Sequence, residues 1–223
     1  MSTMSAFDYS NLPDVIWASV LAYASLHDRL SVARTCRRLN EIFNHPSVWQ
    51  TVRIVLLKDL HQPGSPSTEQ YESMIGSFGT YFHDLTLIIH GDVCQMGEPC
   101  QKVLSLLAEY CNPIKFSVYV GNGRVAPVKP NYQDFTAIKT VISNSSRLRS
   151  LNIACWPLHR SNFSAGFDMF DYLLAGDTVD RLQHLKLFSS SPKDGDWLPL
   201  NVCLPSPDQF AEALTKFISL RSI

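Results

Sequence analysis

The chain lacks an excess of charge of either sign. Its 19 Lys+Arg and 20 Asp+Glu leave a formal net charge of -1, so it offers no basic face of the kind nucleic-acid binders carry. It also lacks any apolar run of about eighteen residues, and no membrane span is expected. The opening residues, MSTMSAFDYS, hold no positive n-region and no long apolar stretch, so no secretory signal is expected. Six cysteines and seven histidines occur, but without metal-ligand spacing. Cys94, Cys100 and Cys111 are separated by five and ten residues, not the C-x-x-C pairs that zinc favours. The cysteines read as free, mostly buried thiols of a reducing compartment, the cytoplasm or the nucleus. Catalytic signatures are missing too. GNGRVAPVKP holds Gly121 and Gly123 but no third glycine and no Lys-Ser/Thr, so it is neither a dinucleotide fingerprint nor a P-loop. His159 and Ser161, in HRSNFS, stand in no nucleophile-elbow context. His83, His90 and His184 border expected strands as ordinary polar positions. No cofactor, metal or catalytic group is expected.

What is present is an ordinary globular balance, 45% apolar and 17% charged residues over 223 positions, enough for one large domain or two small ones. Apolar residues crowd the segment NLPDVIWASVLAYASLHDRLSVARTCRRLNEIFNHPSVW, Asn11 to Trp49. Pro13 suits a first helical turn and Asp14 the positive end of a helix dipole. Ile16, Val20 and Tyr23 fall at helical spacing, with Trp17, Leu21 and Ala24 beside them, an arc wider than one half-buried helix needs. Ser25 or His27 caps a second helix, with Leu30, Ala33 and Arg34 on one side. A third runs through TCRRLNEIF, with Cys36, Leu39 and Phe43 on a shared face, and Pro46 ends it. Three helices this short cannot bury so much apolar surface among themselves, so the excess must pack on the rest of the chain or on a partner.

These residues resemble an F-box. The family pattern is carried by Leu12 and Pro13, Val20, Tyr23, Leu30, Cys36-Arg37-Arg38 and Pro46-Ser47-Val48-Trp49, over Leu12 to about Val52. Ala24 stands where many members carry leucine, and Leu39 where many carry an aromatic. The resemblance implies docking on the Skp-type adaptor of Skp–cullin–F-box ubiquitin ligases, through Leu12, Pro13, Ile16, Val20, Leu30, Arg34 and Cys36. It implies that Trp49 locks the end of the bundle.

After the Pro/Gly/Ser-rich HQPGSPST, read as a linker, helical and strand patterns alternate. The strands FHDLTLIIH, CNPIKFSVYV, LRSLNIACW and LQHLKLF follow the helical segments TEQYESMIGSFGTY, QKVLSLLAEYC, YQDFTAIKTVISNS and FSAGFDMFDYLLAGD. PDQFAEALTKFISL begins a fifth round. With Leu85, Ile114, Leu151 and Leu185 as markers the steps are 114−85=29, 151−114=37 and 185−151=34. Three of the four strands carry the L-x-x-L-x-L spacing, and the alternation resembles leucine-rich repeats.

The fold class expected is α followed by α/β. A three-helix F-box spans 11–56, a linker 57–67, and an irregular leucine-rich-repeat-like solenoid with parallel strands 68–223, expected to be incomplete because FISLRSI stops where a strand should begin. The function implied is a non-catalytic substrate receptor of a ubiquitin ligase. The alternative is a non-ligase scaffold using the same helices and repeats. Target contacts are expected on the strand side and its following loops, at Thr86, Ile88, His90, Asn152, Ala154, Trp156, Lys186 and Phe188. Trp156, Lys186 and Phe188 are the leading candidates, since aromatics suit binding hot spots.

Overall fold

The computed structural model of the protein describes residues 12–57, 66–90, 98–121, 132–154, 173–174, 176–188, 207–217 and 219–221. Helices α1 (Asp14–Tyr23), α2 (Leu26–Ala33) and α3 (Arg37–Phe43) come first, then a 3-10 turn at Pro46–Trp49. Strand β1 (Thr51–Leu57) follows at once. After it come α4 (Thr68–Phe78) with a 3-10 turn at Gly79–Tyr81, β2 (Asp84–His90), α5 (Glu98–Tyr110) and β3 (Lys115–Gly121). The order continues with α6 (Tyr132–Asn144), β4 (Ser150–Ala154), α7 (Thr178–Arg181), β5 (His184–Phe188) and α8 (Pro207–Lys216). Among the described residues no helix is long and apolar enough to cross a membrane.

Local chemistry sets the helix starts. Ser25 caps α2, its Oγ accepting from the Asp28 N–H at 3.2 Å. Ser67 and Gln70 form a reciprocal capping box on α4, which satisfies two backbone donors that the first turn leaves without partners. The third helix begins at Arg37, later than TCRRLNEIF suggests. Cys36 is its extended N-cap (φ -156°, ψ 162°), so the Cys36 side chain leaves the helical period and is exposed instead of sharing the inner face with Leu39 and Phe43.

The five strands among the described residues are parallel and lie in sequence order, β1-β2-β3-β4-β5. One buried row is Val52, Leu85, Phe116, Leu151 and Leu185, aligned strand to strand. Ile54, Leu87, Val118 and Ile153 form the next. Side chains alternate across a strand, so these rows mark the sheet face that joins one apolar core with α4, α5 and α6 residues such as Ile75, Leu104 and Val141. Here α4 packs on α5 and α5 on α6.

The residue before each strand repeats one hydrogen-bonding arrangement. The Gln50 carbonyl accepts from the N–H groups of His83 and Asp84, the His83 carbonyl from Ile114 and Lys115, the Ile114 carbonyl from Arg149 and Ser150, and the Arg149 carbonyl from Gln183 and His184. The Gln183 carbonyl accepts from Arg221. One position earlier stand Trp49, Phe82, Pro113, Leu148 and Leu182, all buried, and Leu220, packed on the core. Ile114 is therefore not the equivalent of Leu85. Phe116 is, because Ile114 occupies the bridging position that His83 takes one round earlier. Strand β1, which begins inside the span 11–56 expected for the helical domain, is the first rung of the same stack.

Candidate protein-interaction surfaces

Helix α1 is apolar on two sides. Its inner side buries Ala18 and Leu21 and packs on α3 and on the turn holding Trp49. Its outer side exposes Val15 by 68%, Ile16 by 44%, Val20 by 51% and Tyr23 by 94%. At 100° per residue, Val15, Ser19, Tyr23, Ile16 and Val20 fall in that angular order along a single stripe. The start of the helix is tied to α3. Arg38 pairs with Asp14 at 2.7 Å, and its guanidinium also donates to the Leu12 carbonyl.

The residues singled out for adaptor docking are distributed over three elements. Ile16 and Val20 lie on the outer stripe, with exposed Pro13 and half-buried Leu12 at its beginning. Arg34, the C-cap of α2, and Cys36 are exposed at the α2–α3 junction. Leu30 is half-buried and packed against the core. Val15 has no place in the F-box pattern, and Tyr23 is its aromatic before the loop without being one of the docking residues it implies; they are the two most exposed apolar members of the stripe. The i, i+4, i+8 spacing of Val15, Ser19 and Tyr23 was the available signal.

Beneath the stripe, Arg29 anchors the bundle. Its Nε donates to the Ala24 carbonyl at 3.0 Å, one terminal nitrogen to Val48 at 2.8 Å, and the other to Ala22 at 2.7 Å and Thr51 at 3.2 Å. The guanidinium lies 5.3 Å from the Trp49 ring centroid. Burial lowers its pKa to about 10, which still leaves it charged near neutrality. Trp49 is fully buried, donates from Nε1 to the Phe43 carbonyl at 2.7 Å, and stacks on Phe78 of α4 at 4.3 Å.

Residues 9–55 match the F-box-like family model. No curated protein matches the chain. The F-box-like segment therefore includes α1 to α3 and the 3-10 turn, and it runs into β1. F-box domains bind Skp-type adaptors, and F-box proteins are in general non-catalytic subunits.

The second surface is the sheet face away from the helices. Arg53, Thr86, Ser117, Asn152 and Lys186 align across it, with Val55, Ile88 and Tyr119 in the next row. Arg53 and Lys186 are exposed, Thr86, Asn152 and Val55 half-buried, Ser117 and Ile88 buried. Trp156 lies outside the described residues, as do the side chains of His90, Ala154 and Phe188. His159, Ser161 and Gly123 also lie outside them. Among the described residues no group of three or more His, Cys, Asp or Glu is placed to hold a metal.

Proposed function

We propose that the protein is the substrate-recognition subunit of a Skp–cullin–F-box type ubiquitin ligase. The outer stripe of α1 carries this reading. It sits inside the F-box-like match and presents four large apolar side chains to solvent, the composition of an interface core. Leu12, Pro13, Ile16, Val20, Leu30, Arg34 and Cys36 would meet the adaptor, with Val15 and Tyr23 beside them. The sheet region would hold the target as a leucine-rich-repeat-like solenoid. The repeated carbonyl bridges at Gln50, His83, Ile114 and Arg149 support that reading, since each helix–strand unit contacts its neighbours in the same way. Catalysis would belong to other subunits, and this chain would supply proximity and orientation.

The test is co-purification with the adaptor and cullin. Leu12→Asp combined with Pro13→Ala is expected to abolish adaptor capture while the far-UV circular dichroism stays unchanged, because a carboxylate buried in an apolar interface costs several kcal/mol. Undiminished capture would remove the interface assignment. Capture without any cullin in the complex would favour a non-ligase scaffold.

Cysteine footprinting gives a second readout. Cys36 is exposed, whereas Cys100 and Cys111 are buried and burial pushes the Cys111 thiol up to about 12. Iodoacetamide is expected to label Cys36 in the free chain, spare Cys100 and Cys111, and label Cys36 more slowly once adaptor is bound. Mass spectrometry of the peptides reads all three.

A further inference from the structure

The open sheet face has a charge pattern that the ligase reading does not by itself require. Across five strands, at about 4.8 Å per strand, Arg53 and Lys186 stand about 19 Å apart at the two ends of one row. Both are exposed, and among the described residues neither has an ion-pair partner. Between them lie the hydroxyls of Thr86 and Ser117 and the amide of Asn152. Asp84 is the sole acidic side chain among the described residues of this face, and Lys115 already neutralises it at 2.8 Å.

Tyr119 borders the row at 38% exposure. Its hydroxyl accepts from Asn152 Nδ2 at 2.9 Å and retains one O–H to donate. Asn152 Oδ1 is buried without a donor among the described residues, a state that native structures rarely keep. In the next row Tyr119 is aligned with Ile88, which is buried, and Ile88 with half-buried Val55.

We propose that this face binds an extended acidic segment of the target protein, its Asp or Glu side chains on the Arg53–Lys186 row, which the Tyr119 hydroxyl reaches at Asn152, and its apolar side chains on the row of Val55 and the Tyr119 ring. An extended chain at about 3.3 Å per residue needs about six residues to cross the row. Alternation of acidic and apolar residues matches the polar and apolar rows. This rests on reading the sheet as the target-holding part of the protein.

The experiment uses the full chain with adaptor bound and, separately, the full chain alone. The probe is a fluorescein-labelled peptide of about eight residues alternating Glu and Leu, long enough to overhang the row. Matched peptides carry Gln, Lys or phosphoserine in place of Glu. Anisotropy is expected to show the Glu peptide bound about tenfold or more tightly than the Gln peptide, with the preference shrinking at high salt. The Lys peptide is not bound. R53E/K186E, two exposed positions whose change leaves the core intact, is expected to erase the Glu preference, and Tyr119→Phe to weaken it a few-fold.

Equal binding of the Glu and Gln peptides would overturn the proposal. So would binding of the Lys peptide, or a charge-reversed variant that still selects Glu. Phosphoserine bound where Glu is not would also overturn it, in favour of a phosphorylated segment. Adaptor capture is measured on the same samples. Glu selectivity without adaptor binding overturns only the ligase reading, and adaptor binding without Glu selectivity overturns only this one.

Discussion

Arg29 brings a full charge into the core, and among the described residues no carboxylate meets it. Its donors go to backbone carbonyls, two at the end of α1, one at the 3-10 turn and one in β1. The last carbonyls of a helix lack intrahelical partners, so the guanidinium serves as a cap shared by three elements. Replacing it strands those oxygens. Arg29→Met is expected to lower the unfolding free energy by about 2–4 kcal/mol, since each buried carbonyl left unpaired costs about 1–3 kcal/mol and some regain water. Arg29→Lys should recover part of this, because an ammonium cannot reach four acceptors from one point. Urea unfolding of the full chain measures both, and an unmoved midpoint for Arg29→Met would mean that water fills the gap. Trp49 makes the neighbouring argument. It is held by a hydrogen bond, a stack on Phe78 and an edge contact 4.9 Å from Phe43. Trp49→Ala is expected to cost about 3–5 kcal/mol and to lower thermal stability with no adaptor present. The locking role implied for Trp49 could be anticipated from the P-S-x-W pattern. Arg29 could not, because a lone arginine in SLHDRL looks like any solvated charge, and its carbonyl partners lie up to 22 residues away in sequence.

At the scale of elements, the alternation from α4 to β4 was legible because apolar residues change period from 3.6 to 2 at each transition, whereas FSAGFDMFDYLLAGD, expected as the next helix, lies mostly outside the described residues and the four-residue α7 follows it. The capping box at Ser67 and Gln70 was legible in principle as S-x-x-Q. Strand β1 merges with the helical segment in the sequence, although Val52, Ile54 and Leu56 alternate as a strand should, because no turn residue separates it from Trp49. The marker Ile114 stands two residues before the true equivalent of Leu85, Phe116, because Ile114, Phe116 and Val118 share one parity and only the Ile114 carbonyl bridge distinguishes the connector from the strand. Helix α4 offers a test of how closely these units pack. A Cβ added at Gly76 would meet nothing within 4 Å, whereas one at Gly79 would lie 3.1 Å from both Cys111 Sγ and Tyr110 Cβ. Gly76→Ala is therefore expected to stabilise the protein by about 0.5–1 kcal/mol through helix propensity. Gly79→Ala is expected to destabilise it by about 1–3 kcal/mol, by pushing the α4 end off the α5 end. Opposite shifts in melting temperature for the two variants check the packing, and equal shifts would contradict it.

At the scale of the whole molecule, the F-box-like segment and the sheet share a rung. Trp49 stands where Phe82, Pro113, Leu148 and Leu182 stand in later rounds, and Gln50 opens the series of carbonyl bridges. Strand β1 (Thr51–Leu57) pairs with β2 and begins inside the span 11–56 expected for the helical domain, and the helical segment joins the stack through Arg29, Trp49 and Phe78 with no loop between Trp49 and the strand. A joint of this kind fixes the direction of α1 relative to the sheet, the arrangement a receptor needs if it is to hold a target at a set place. It also leaves the outer stripe of α1 with nothing in the chain's described residues to cover it. Exposed apolar patches of this sort mark interaction sites and promote association when the partner is missing. The chain alone is therefore expected to self-associate with rising concentration, and adaptor is expected to return it to a single species in sedimentation velocity. Val20→Asp with Tyr23→Ser, both on the exposed stripe, should make the free chain monomeric and weaken adaptor capture together. Residual association of that variant would point to another surface, the unpaired edges of β1 and β5 among the described strands, since open edges recruit further strands. A wild-type chain that stays monomeric without adaptor at high concentration would show that the α1 stripe is too small to drive contact alone, and the surplus of apolar residues between Leu12 and Tyr23 would then need a different explanation.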